Sequence, residues 1–105
     1  MLFPNTGASM KPSDALHQHR DAIRRVVESH HARNARVFGS VLHGADTEHS
    51  DLDILIDPTP ETTLFDIGAI RHDLIKLLGV PVDVLTPSAL PDRFKASVIA
   101  GARPV

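Results

Sequence analysis

Apolar residues recur along this chain with two different periods, and the period changes at recognisable punctuation. From Ser13 onward Leu16, Ile23, Val26, Val27 and His30 fall on one side of a 3.6-residue helix, with Arg20, Arg24, Arg25 and Glu28 mostly elsewhere. The spacing predicts a helix over 13–32. Pro12-Ser13-Asp14 reads as its start, Ser13 placed to cap orphan N–H groups and Asp14 suited to the first turn. Asp21 and Arg25 are spaced for an ion pair worth about 0.3 kcal/mol. Ala35-Arg36-Val37-Phe38 is a short strand cut off by Gly39-Ser40, with room for one helical turn at 40–44 before Gly44 and a polar loop from Ala45 to Ser50. Asp51 to Asp57 then alternates with period two. Leu52, Ile54 and Ile56 share one side, Asp51, Asp53, Leu55 and Asp57 the other, and Pro58 and Pro60 stop the strand.

Thr63, with Asp66 three residues on, resembles a capping box. It opens a helix over 64–78 with Leu64, Ile67, Leu74, Leu77 and Leu78 as its apolar stripe, and Gly79 suits the left-handed position beyond its end. Val80 to Thr86 is a third strand, with Val80, Val82 and Val84 on one face and Asp83 and Leu85 on the other. Pro87-Ser88 opens a last helical piece over 88–100, with Leu90, Phe94, Val98 and Ile99 inward. The order α-β-β-α-β-α predicts an α/β (α+β) protein, a small mixed sheet of three to four strands with helices packed on it. Residues 1–12 read as a flexible lead-in, with Met10 an alternative start, residues 13–100 as one domain, and 101–105 as a fraying tail.

Composition narrows the choice of function. A chain of 105 residues has room for one small domain, and with four Phe and no Tyr or Trp its core must be aliphatic. The absence of cysteine excludes a disulfide scaffold, thiolate metal sites and a cysteine nucleophile, and fits a reducing cytoplasm. A net charge of −2 argues against non-specific binding to nucleic acid or anionic membrane. No apolar run approaches the roughly 20 residues of a membrane span, and the opening MLFPNTGASMKP lacks the basic start and apolar stretch of a signal peptide. The seven histidines offer no pair at ligand spacing with a third partner, which leaves no zinc site to propose.

Candidate chemistry lies in Gly39-Ser40, ten residues, then Asp51-Leu52-Asp53. Residues i and i+2 of a strand point the same way, about 6–7 Å apart, so Asp51 and Asp53 project together. Two bare carboxylates that close repel each other unless a cation sits between them, and such a pair suits Mg²⁺ with waters and phosphate oxygens. Gly39 lets the backbone approach a ligand, and the N–H groups after it and the Ser40 hydroxyl can hold phosphate oxygens. Asp83 joins the cluster if its strand neighbours that of Asp53 in register, and three acids could then hold two Mg²⁺ ions. Asp57 is expected outside. Taken singly, each feature also has a bland reading: Asp51 and Asp53 as solvent-facing acids, Asp83 as an edge-strand acid, Ser40 as a cap.

Together, G-S-x10-D-x-D and a third Asp on a later strand resemble the nucleotidyltransferase superfamily related to polymerase beta. RVFGSVLHG…SDLDILID and LLGVPVDVLTPSAL look like its minimal nucleotidyltransferase branch, over about residues 13–100. The resemblance implies a nucleotidyltransferase fold, Gly39 and Ser40 binding the triphosphate of ATP, Asp51 and Asp53 ligating both Mg²⁺ ions, and Asp83 ligating the catalytic one and helping to activate the nucleophile. It further implies an antitoxin encoded beside a HEPN-type ribonuclease toxin, which it neutralises by transferring AMP to a toxin tyrosine and by binding. Many relatives carry Arg or Lys where this chain has His43, a weaker phosphate partner when neutral. Two alternatives stay open: a binding-only antitoxin, and a nucleotidyltransferase acting on RNA ends, against which the acidic balance and the lack of aromatic platforms speak. Transfer to a small molecule would need a further helical domain for the acceptor.

Overall fold

The helical pattern at 13–32 resolves into two helices. The computed structural model describes residues 10–105, so most of the expected lead-in lies outside the described residues. Helix α1 runs Pro12–Gln18 and α2 Arg20–Ser29, separated at His19, whose φ of −127° and ψ of 25° leave the helical region. Pro12 takes the first helical position, where a missing N–H costs nothing. Ser13 is therefore inside the helix and is not its cap. The Ser13 N–H donates instead to Asp46 Oδ2 at 2.9 Å, so a loop 33 residues away supplies the capping carboxylate. Burial pushes the Asp46 pKa up, but hydrogen bonds from Ser13 and the charge of Lys11 outweigh it and hold the group below its ordinary 3.8.

Strand β1 is Ala32–Phe38, longer than its apolar run, because His31 and Asn34 adopt left-handed φ of 64° and 56° and let a bulged start pair with the next strand. Strand β2 is Leu52–Pro58 and β3 is Val82–Leu85, with helix α3, Leu64–Leu78, crossing between them. The Thr63–Asp66 capping box is formed, and Gly79 closes the helix at φ 70°. A 3₁₀ turn over Pro87–Ala89 is separated by Leu90-Pro91 from α4, Asp92–Gly101, which splits the expected last helix in two. The tail does not fray: Arg103–Pro104 forms β4 against β1, and the Val105 N–H donates to the Ala35 oxygen at 3.0 Å. Arg24, expected away from the apolar side, reaches the Val105 backbone oxygen and pairs with Asp21, displacing the Asp21–Arg25 pair that spacing suggested. The sheet order is β3-β2-β1-β4, with β1 antiparallel to β2 and β4, and β2 parallel to β3.

The main core lies on one face, where Val37, Ile54, Ile56 and Val82 of the sheet meet Leu16, Ile23 and Val27 of the first two helices and Ile70 and Leu74 of α3. Ile70 replaces the expected Leu64 and Leu77, which are 85% and 36% exposed, because the helix turns its Ile70–Leu74–Leu78 line to the sheet. The opposite face is thinly covered. Leu55 and Leu90 are buried there, but α4 buries none of its residues, and Phe94 and Ile99, expected inward, are 50% and 38% exposed. Among the described residues no helix is long and apolar enough to cross a membrane.

Replacing Asp46 with Ala removes a cap and should destabilise the fold by about 1 kcal/mol at neutral pH. Because the folded pKa is depressed, the contribution is present above 3.8 and lost as pH falls below it, so the two proteins should converge in acid. Urea denaturation at pH 7 and pH 3 measures both; an equal gap at the two pH values would refute the ion-dipole account.

Candidate active site

Strand β2 lies inside the sheet, and its parallel pairing with β3 runs in register: Leu52 faces Val82, Asp53 faces Asp83 and Ile54 faces Val84. Directly opposed residues of adjacent strands point to the same side, so burying Val82 and Val84 with Leu52 and Ile54 turns Asp53 and Asp83 together onto the other face. Asp51 stands exposed at the entrance to β2. Asp53 is half-buried, and its pKa is pushed up to about 6, first by burial and then by the charges of Asp83 and Asp51. All three acids therefore belong to one electrostatic site. Asp57, on the same side of β2, is paired with Arg36 and accepts from Asn34 Nδ2 at 2.8 Å, which separates it from the other acids as expected.

Phe38 is the β1 partner of Asp53, so the chain leaves β1 beside that carboxylate. Gly39 follows at φ 77°, and a Cβ there would collide with the Asp53 carboxylate. Glycine is thus required twice, by backbone and by contact. The next residues form hydrogen-bonded turns, without an assigned helix: His43 N–H to Gly39 O at 3.3 Å, Gly44 N–H to Val41 O at 3.2 Å and Ala45 N–H to Ser40 O at 2.9 Å. Among the described residues, no backbone acceptor takes the N–H groups of Ser40, Val41 or Leu42. Donors left free beside an acid cluster suit the oxygens of an anion whose charge a cation shares.

A divalent cation suits the chemistry of these carboxylates, hard oxygen ligands short of positive charge, one of them with its pKa raised to about 6 first by burial and then by the other two. Among the described residues, no group of three or more His, Asp or Glu side chains is placed to hold a metal ion by itself. The remaining ligands would have to be water and substrate oxygens, the usual state of a Mg²⁺ site. His30 pairs with Asp73 at 2.8 Å and His31 with Asp66 at 3.4 Å, away from the acids, while His43 stays exposed on the turn.

Two features lacked a sequence signal. Arg71 donates from Nε to the Val82 oxygen at 3.1 Å and so ties α3 to the residue before Asp83. A cavity of about 460 Å³ also opens on the acid-bearing face, between Phe38, Gly39 and Leu85 of the sheet side and Leu90, Phe94 and Val98. Its walls come from distant segments, which no local period reveals.

Residues 19–105 match the family described as nucleotidyltransferase domain. A Methanocaldococcus jannaschii protein that carries the name of a protein adenylyltransferase is 30% identical over 74 residues, 70% of this chain and 80% of that protein. A second from the same organism, with the same kind of name, is 29% identical over 81 residues, 77% of this chain and 80% of its own. A solved structure described as a minimal nucleotidyltransferase superposes with a TM-score of 0.82 at 35% identity, covering 94% of this chain and all of that one. A chain from a toxin–antitoxin crystal structure with AMP-PNP shares the fold, with a TM-score of 0.68 at 16% identity over 80% of this chain and 69% of its own.

The raised pKa of Asp53 makes a signed prediction for protein without divalent cations. The folded state holds the Asp53 proton more tightly than the unfolded chain, so stability should fall as pH rises from 3.8 through about 6. Asp53→Asn should be more stable than the parent at pH 7, by about 1 kcal/mol once solvent screening is allowed for. The advantage should vanish below pH 4. Denaturation midpoints across that range check it, and a parent at least as stable as the variant at pH 7 would contradict it.

Proposed function

This chain belongs to the nucleotidyltransferase domain family and is a nucleotidyltransferase, and from that premise we propose that it is an antitoxin which transfers AMP from ATP, with Mg²⁺, to a tyrosine hydroxyl of a cognate HEPN-type ribonuclease toxin. The observation that carries the reading is the in-register Asp53–Asp83 pair beside the Gly39 turn. The protein acceptor is supported by the names of the two relatives, and the toxin partner by the assembly in which the more distant fold neighbour was solved. The proposed setting is the cytoplasm, where ATP and Mg²⁺ are at hand.

In this reading Asp51, Asp53 and Asp83 hold the metal. Bound Mg²⁺ would neutralise the carboxylates, polarise the α-phosphate and lower the pKa of the acceptor hydroxyl. Gly39 lets the turn lie against Asp53, and the free N–H groups from Ser40 to Leu42, with the Ser40 hydroxyl, bind the triphosphate oxygens and the departing pyrophosphate. Asp83, exposed on the edge strand, helps to orient and activate an incoming hydroxyl. The acceptor oxygen bonds to the α-phosphorus as the bond to pyrophosphate breaks, and the hydroxyl proton is released. His43, in place of a fixed cation, leaves the phosphates less neutralised and the turnover slower.

A binding contribution is favoured by a separate observation. Leu64 and Phe65 at the start of α3 are 85% and 90% exposed, an apolar pair of the kind protein partners cover.

Incubation with the purified partner, labelled ATP and Mg²⁺ should label the partner. EDTA should abolish the label, and Asp51→Asn with Asp53→Asn should lower it at least about 100-fold. No label with intact protein, or undiminished label with the double variant, would overturn the transfer reading. If the double variant still protected cells from the toxin at normal expression, binding would be the neutralising step.

A further inference from the structure

We infer that a second cavity, behind the turn after β1 and walled by His17, Arg20 and Arg103, is an oxyanion site that takes a phosphate dianion. The cavity measures about 340 Å³ and lies on the helix side of the sheet, away from the acids. Arg103 comes from β4, where it is the strand partner of Val37. Directly opposed residues point to the same side, and Val37 belongs to the core under the helices, so Arg103 is turned toward α1 and α2. His17 lies in the last turn of α1 and Arg20 opens α2, on either side of the break at His19. Two guanidinium groups and an imidazole from three elements therefore meet at one space.

The chain supplies these groups with no counter-charge. Among the described residues neither Arg20 nor Arg103 pairs with a carboxylate, and residues 1–9 contain no Asp or Glu. Asp21, next to Arg20, is taken by Arg24, and Asp46 is engaged on the Ser13 N–H at one end of the cavity. Arg20 donates from Nη2 to His17 Nδ1 at 3.4 Å, an acceptor role that leaves the ring proton on Nε2 as a further donor. Arg20 also stands at the first position of α2, where the helix dipole already places positive charge. An anion relieves both strains.

Charge and volume choose the ligand. Two fixed guanidinium charges call for two negative ones, and their paired N–H groups match the oxygens of a tetrahedral phosphate; a carboxylate would balance only one. The volume is small for a ligand site, room for one phosphate group and a short carbon chain over the aliphatic floor of Leu16, Val37 and Val41. The source is either free phosphate or a small phosphomonoester. Val41 and Leu42 line this cavity while their backbone N–H groups belong to the turn assigned to the triphosphate, and Leu42 also lines the cavity on the acid-bearing face. An anion seated behind the turn holds it in place and so tightens ATP in front of it, a consequence that rests on the nucleotidyl-transfer reading above.

The test is calorimetry on the full chain without divalent cations, ATP or partner, since the three bare acids then repel an anion from the front of the turn. Inorganic phosphate should bind with a Kd of about 1 mM or tighter. Arg20→Gln with Arg103→Gln should weaken it at least about tenfold, and melting curves verify that this double variant stays folded. n-Butyl phosphate separates the sources: binding tighter than inorganic phosphate supports a phosphomonoester, and equal or weaker binding supports free phosphate. With Mg²⁺ and saturating phosphate, ATP should bind the parent about two- to fivefold tighter and the double variant without change. No phosphate binding by the parent, or equal binding by the folded double variant, overturns the inference. Phosphate that competes with ATP equally in both proteins sits in front of the turn and overturns it too. Lost labelling of the partner by the double variant, with no phosphate bound by the parent, would assign the arginines to an acidic surface of that partner instead. Phosphate binding that needs both arginines, in a chain that binds no ATP, would sink the transfer reading and leave the oxyanion site standing.

Discussion

The pairing of β2 with β3 holds two like charges side by side, and the rest of the site follows from that constraint. Repulsion between Asp53 and Asp83 opposes the register, while the burial of Leu52, Ile54, Val82 and Val84 on the reverse face enforces it. A slip of β3 by one residue would turn Val82 and Val84 off the core face, at roughly 2 kcal/mol for each. The apolar face therefore wins, and the acids are held in a proximity they would not choose. The raised pKa of Asp53 records this: burial contributes most, and the charges of Asp83 and Asp51 add to it.

Several contacts remote from the acids keep this arrangement in place. The turn after β1 can lie against Asp53 only because position 39 carries no side chain. The loop beyond that turn is anchored by Asp46 on the first turn of α1, so a helix cap and the placement of the free turn amides are one structural element. Arg71 secures α3 to the strand that carries Asp83. In each case a polar group satisfies backbone at a distance in sequence, which positions the site without adding to its chemistry.

The two faces of the sheet have divided the work. One is closed by three helices over an aliphatic core and supplies the stability. The other carries the acids, two buried leucines and a helix that touches it lightly, leaving the cavity open. An enzyme of this size cannot afford a second complete core, and the incompletely packed face is where substrate surface can take the place of protein.

Much of the chain was legible from local pattern. Helix α3 and its caps were readable to the residue because Thr63, Asp66 and Gly79 act through neighbours in sequence, and the alternation in β2 identified which side bore the acids. The motif linking Gly39-Ser40 to Asp51 and Asp53 was visible for the same reason, and it pointed to the family. The break at His19, the outward turn of Leu64 and Leu77, and the pairing of residues 103–104 were not legible. Each is settled by what lies across the core and not by adjacent residues. Sequence alone determined the order of the main helices and strands and singled out the three acids. Tertiary structure decided that Asp83 stands level with Asp53 and that a cavity opens beside them, because strand register and the space between faces depend on contacts between segments far apart in the chain.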